Sequence, residues 1–129
     1  MQTIDAYRST NVLCWSSQQY APGLDLYIAS WRVPGPIPEK VRVRIYENGE
    51  SVLRESGPDR DAVLRDPDLR NTGLTVKLRR VGKSAEAVLF HPFGEPADWP
   101  IGSLNVPKRA LQNKNIRDIA LVIDWADGT

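Results

Sequence analysis

Residues 74–79, Leu74-Thr75-Val76-Lys77-Leu78-Arg79, alternate apolar and polar side chains, and residues 85–90, Ala85-Glu86-Ala87-Val88-Leu89-Phe90, return after Gly82-Lys83. A period of two is the period of a strand, in which alternate side chains point to opposite faces. A two-residue loop at Gly82-Lys83 would set Leu78 opposite Ala87 and Val76 opposite Leu89 on one face, and Arg79 opposite Glu86 on the other. Apolar pairs then share one face and an opposite-charge pair shares the other, which is how cross-strand pairs stabilise a sheet.

The same pattern recurs upstream. Val41-Arg42-Val43-Arg44-Ile45-Tyr46 turns Val41, Val43 and Ile45 to one side and Arg42, Arg44 and Tyr46 to the other. Asn48-Gly49 follows, and then Ser51-Val52-Leu53-Arg54-Glu55. Asn-Gly between extended runs is a hairpin signal, because a type I′ turn needs positive φ at both central residues. That loop would pair Ile45 with Val52 and Arg42 with Glu55, but would also set Arg44 against Leu53.

Further strands are expected at 12–17 and 24–33, the latter alternating Leu24, Leu26 and Ile28 with Asp25, Tyr27, Ala29 and Trp31. The run Ile119-Ala120-Leu121-Val122-Ile123-Asp124-Trp125 is apolar on both faces, the mark of a central strand covered on both sides. Helical signals are short. Residues 59–66 could form two turns with Asp61 and Arg65 four apart and Pro67 as a stop, and residues 107–113 could form another with Pro107 in its first turn. Prolines gather at Pro34, Pro36, Pro38 and at Pro92, Pro96, Pro100, which read as loops or strand edges. These signals make residues 1–129 a single all-β domain, an antiparallel β-sandwich or alternatively a small closed β-barrel, with at most two short helical turns.

Composition narrows the function classes. The chain is 41% hydrophobic and 26% charged, values of an ordinary globular domain. Seventeen basic residues nearly cancel sixteen acidic ones. That balance argues against a nucleic-acid partner, whose phosphates call for a basic excess. The longest strongly apolar run, 119–123, is far too short for a membrane helix. One cysteine, Cys14, permits no internal disulfide, and the first 25 residues show no charged segment leading into an apolar run. A reducing, cytoplasmic compartment is the expectation.

Catalytic patterns are scarce. One histidine, His91, and one cysteine cannot furnish a zinc site, and neither a G-x-S-x-G elbow nor a glycine-rich phosphate loop occurs. His91 reads as a structural residue at the rim of the sheet and Cys14 as a buried thiol. Asp59, Asp61, Asp66 and Asp68 alternate with Arg60, Arg65 and Arg70, a self-paired surface segment rather than a calcium loop. No catalytic residue, metal or cofactor is assigned.

Aromatics are the remaining signal. Trp31 and Trp125, within strand patterns, are expected in the core. Trp99, in the proline-rich run Glu95-Pro96-Ala97-Asp98-Trp99-Pro100, is a contact residue for a sugar ring or a partner chain, with Asp98 beside it. Arg42, Arg44 and Tyr46 form a row on one strand face, of residue types enriched in interfaces, and a homodimer through that face is expected. Residues 41–55 and 98–102 resemble fragments of a blade of the fucose-binding β-propeller lectins. Gly57 lacks the aromatic-acid-glycine turn that would join such elements, and no full blade repeats, so no family is assigned on them. The functional expectation is a non-catalytic binding module for a protein or carbohydrate partner, acting through Trp99, Asp98, Arg42, Arg44 and Tyr46. The alternative is a small enzyme of cyclase or isomerase type with its pocket inside a barrel or sandwich.

Overall fold

The computed structural model describes residues 2–10, 13–20, 22–47 and 58–125. Eight strands form one antiparallel sheet: β1 (Gln2–Arg8), β2 (Cys14–Ser17), β3 (Leu24–Tyr27), β4 (Lys40–Tyr46), β5 (Leu74–Lys83), β6 (Ala87–Pro92), β7 (Leu104–Pro107) and β8 (Asp118–Asp124). Their order is β3-β2-β1-β4-β8-β5-β6-β7. The two outer strands come back to one another, joined by a bridge between Ile28 and Ile101 and by a 2.9 Å bond from Gly102 N to Tyr27 O. The sheet is therefore a nearly closed barrel. All-β architecture is as expected from the period-two runs, and of the two expected forms the barrel is the one adopted rather than the sandwich.

Alternation fills the interior. Ile4 and Ala6 of β1, Val41, Val43 and Ile45 of β4, Val76 and Leu78 of β5, and Ile119, Leu121 and Ile123 of β8 all point inward and are buried. Trp15 of β2, Phe90 of β6 and Val106 of β7, each wholly buried, complete the same cluster. Small barrels close by filling their lumen with side chains in this way. As anticipated, β8 sits mid-sheet, hydrogen-bonded to β4 and β5. Its outer face is also partly covered, with Ala120 at 1% exposure.

The β5–β6 register differs from expectation. In β5–β6, Leu78 faces Pro92 and Arg79 faces His91, rather than Ala87 and Glu86. The strands run on to Ser84, whose N–H bonds Ala87 O at 2.8 Å, so the two-residue loop is Ala85-Glu86 and not Gly82-Lys83. Neither loop residue has positive φ. A register shift between Arg80 and Gly82 marks a bulge, which adds the right-handed twist that a loop without positive φ does not supply. For β4, both edges are taken: Ile45 lies between Gln2 of β1 and Leu121 of β8, where the Asn48-Gly49 hairpin would have set Val52. The expected returning arm, 51–55, lies outside the described residues. The strand expected at 24–33 ends at Tyr27, and the one expected from Val12 is described from Cys14.

The acidic run is helical where its end signals said so. Helix α1 (Arg60–Arg65) is capped by Asp59, whose Oδ1 accepts from Ala62 N at 2.8 Å, and it ends at Asp66 before Pro67. Val63 is its one buried residue and seats it on the barrel. The helix expected at 107–113 is only a 3₁₀ turn, Lys108–Ala110, because β7 holds Pro107 in the sheet. Two further 3₁₀ turns are Pro67–Asn71 and Pro96–Asp98.

Candidate functional site

Antiparallel pairing sorts the strand ends. Tyr7 faces Lys40, Cys14 faces Tyr27, Arg42 faces Asp124, and Phe90 faces Leu104. The ends of β1, β3, β6 and β8 therefore gather with the starts of β2, β4, β5 and β7 at one end of the barrel. That end receives the connections 28–39, 58–73 and 93–103, whereas the opposite end carries 18–20, 22–23, 84–86 and 108–117. Loops set on a rigid barrel rim are where such folds place their contacts. Six of the chain's aromatic rings stand on this end or beside it: Tyr7, Tyr27, Trp31, Phe93, Trp99 and Trp125.

A groove there, about 700 Å³ and open to solvent, runs between Tyr7, the segment 34–40 and Trp125. Its walls are fixed from behind. Trp15 Nε1, buried in the core, donates to Pro38 O at 2.9 Å, and Arg8 N donates to Glu39 O at 2.7 Å. Pro34 and Pro38 are buried at either end of the segment, leaving Gly35 and Pro36 exposed and Ile37 half-buried. Trp125, expected in the core, packs against it without being enclosed by it. It stands half-buried, its indole N–H donating to Thr72 O (2.7 Å) and Arg70 O (3.0 Å).

Behind Trp125 lies Arg32, fully buried. Its guanidinium donates to Arg70 O (3.2 Å), Thr72 O (3.1 Å), Thr72 Oγ1 (3.3 Å) and Gly73 O (2.8 Å), and sits 5.9 Å from the Trp125 ring centre. Desolvation by burial pulls its pKa down from the ordinary value. No carboxylate pairs with it among the described residues. Arg32 and Trp125 thus share two carbonyl acceptors, and the loop at 70–73 is tied to both. Sequence gave no hint of this, because a lone Arg within a strand-like run reads as surface.

A second groove, about 390 Å³, lies between α1 and β5, with Trp31 and Phe93 on its walls and Asp59, Arg60, Asp61, Lys77 and Asp98 among them. Trp31, also expected in the core, is half-buried in the turn after β3. Lys77 Nζ stands 5.1 Å from the Phe93 ring centre, within cation–π range.

The residues singled out in the sequence fall into two groups. Trp99 bonds Gly94 O through Nε1 at 3.0 Å and tilts 49° against His91, ring centres 5.2 Å apart. It lines a shallower groove with Tyr27 and Ile101, while Asp98 lines the α1 groove and approaches Arg60 at 4.0 Å. Arg42, Arg44 and Tyr46 are elsewhere, on the outer face of β4. There Arg42 Nε meets Asp5 at 3.2 Å, and Arg44 bonds Asp124 at 2.9 Å and the Tyr46 hydroxyl at 3.2 Å. None of the grooves described is lined by both groups.

Cys14 is buried, with Ser16 Oγ at 3.8 Å and Tyr27 across the strand pair. Hydrogen bonding with the Cys14 thiol, first among several causes, pushes the Tyr27 phenol above its usual pKa. Among the described residues, no three His, Cys, Asp or Glu side chains gather as metal ligands, and no helix is long and apolar enough to cross a membrane. Set against known protein families, curated proteins and solved structures, the chain matches none.

Proposed function

We propose that the chain is a non-catalytic binding module, and that the groove between Tyr7, residues 34–40 and Trp125 takes an extended apolar segment of a protein partner. One observation carries the reading: this groove is walled by a proline segment tied to the core through Trp15 and by Trp125, whose indole is held by the Thr72 backbone, with the exposed Tyr7 ring also on its lining. Fixed walls lower the ordering cost of binding. Its polar groups, Glu39, Lys40 and Asn71, lie along a lining that also holds Tyr7, Ile37, Trp125 and the prolines. The Trp125 N–H is spent on the protein's own backbone. A sugar laid across that surface would depend on Glu39, Lys40 and Asn71 for its hydrogen bonds, whereas an apolar side chain needs none. Supporting a binding surface over an enzyme is the filled lumen, since the cyclase or isomerase alternative needs its pocket inside the barrel. A second copy of the chain is proposed to use the Arg42, Arg44 and Tyr46 face.

The test is selection of peptides from a displayed library on the immobilised full chain. Peptides with an aromatic or long aliphatic anchor should be enriched. Tyr7→Ala should weaken them about 10- to 100-fold, as loss of an interface anchor does. Tyr7 is 57% exposed, so this change spares the fold. His91→Ala and Cys14→Ser should bind as the parent does. A selection that enriches nothing, or peptides indifferent to Tyr7→Ala, overturns the proposal. Loss of activity in a folded His91 or Cys14 variant would favour the enzyme.

A further inference from the structure

We infer that the groove between α1 and β5 is a second, separate binding site, for a neutral polyhydroxylated ring of the pyranose kind. Its volume of about 390 Å³ lies within the range of small-ligand sites. Two rings, Trp31 and Phe93, line it and give the C–H side of such a ligand apolar contact, with Lys77 Nζ 5.1 Å and Arg79 Cζ 6.0 Å from the Phe93 ring centre.

The polar groups around those rings are under-used. Arg60 Nε is shielded from solvent without a partner, and its NH1 reaches Asp98 Oδ1 only at 4.0 Å, beyond hydrogen-bond range. The Trp31 indole N–H, the Thr75 hydroxyl and the Asp61 carboxylate have no partner among the described residues. Donors and acceptors therefore share one groove with the two rings. A hydroxyl is both donor and acceptor, so a ring of hydroxyls answers both kinds of group at once.

Charge selects against the other small ligands. The groove carries three carboxylates, Asp59, Asp61 and Asp98, and two cations, Arg60 and Lys77, with Arg60 4.0 Å from Asp98. An anion entering the groove meets three carboxylates, and an amine meets Arg60 and Lys77. A neutral ligand meets neither repulsion. This chemistry is the opposite of the Tyr7–Trp125 groove, and the inference stands without that reading.

The experiment is a two-dimensional amide and indole NMR titration of the ¹⁵N-labelled full chain. The probes are methyl β-glucopyranoside, methyl β-galactopyranoside and lactose, with glucosamine, glucuronate and glycine betaine as cationic, anionic and zwitterionic controls. The neutral sugars should shift the Trp31 indole signal, saturate with a Kd of about 1–10 mM, and leave the Trp125 indole unmoved. The controls should bind at least about fivefold more weakly. Asp98→Asn and Phe93→Ala, both at exposed positions, should weaken the sugar about 5- to 10-fold. Three results overturn the inference: no neutral sugar saturating by about 100 mM, shifts centred on Trp125, or a control that binds more tightly. None of these results touches the peptide selection, which reads Tyr7.

Discussion

Replacing Arg32 by Met tests the brace behind Trp125. The substitution keeps the aliphatic stem and removes a buried guanidinium that has four acceptor contacts, at 3.2, 3.1, 3.3 and 2.8 Å. Taken at roughly 1.5 kcal/mol each, those contacts sum to about 6 kcal/mol. Against this, the unpaired buried charge carries a desolvation cost of several kcal/mol, which the substitution lifts. Arg70 O and Thr72 O also keep the Trp125 indole as a donor. The expected net loss is about 2–4 kcal/mol, or roughly 8–16 °C in Tm for a domain of this size. Because Arg32 and Trp125 hang on the same carbonyls, the near-UV circular dichroism of the native state should change as well. Arg32→Lys should recover only part of the loss, since an ammonium cannot span acceptors as a planar fork does. Urea and thermal melts of the three proteins decide the matter. An Arg32→Met protein as stable as the parent, with unchanged near-UV signal, would refute the brace.

Deleting the chain from Asp118 onward should give an unfolded or insoluble product. It removes Ile119, Leu121 and Ile123, each about 1.5–3 kcal/mol of burial, from between β4 and β5. A soluble product with a cooperative melt would count against it. Leu121→Ala, at 0% exposure, should cost about 2–5 kcal/mol in a urea melt of a protein that still folds. Asp59→Ala removes the cap on Ala62 N and should cost about 1 kcal/mol, with Asp59→Ser nearly silent by the same melt. Light scattering at high micromolar concentration should return a dimer that Arg44→Glu dissociates, if the β4 face serves a second copy; a monomer mass removes that proposal.

Much of the secondary structure was legible in the chain, for local reasons. The alternation in 41–46 and 74–79 and the two-sided apolar run at 119–123 mark strands wherever they pack, since side-chain direction follows from backbone geometry alone. Asp59 and Pro67 bracket α1 because a cap and a missing N–H act on their own neighbours. Weaker patterns escaped. In β1 only Ile4 and Ala6 are buried, and Asp5 sits in the strand because Arg42 and Lys40 pair with it from β4. β7 is four residues ending in proline.

Tertiary structure alone decided register, closure and site. Gly82-Lys83 is a plausible loop by composition, yet pairing along β5, β6 and β8 together moves the turn to Ala85-Glu86 and absorbs the mismatch in a bulge. Asn48-Gly49 signals a hairpin, yet β1 and β8 hold both edges of β4, because register answers to the whole sheet and not to one loop. Trp99 and Asp98 could be marked as contact residues from their proline-rich loop, but the groove Asp98 enters needs α1 and β5 beside it. Arg32 shows the limit most sharply. Its partners stand some forty residues away along the chain. Nothing in the residues around Arg32 can foretell that burial, because the acceptors arrive only when the barrel closes.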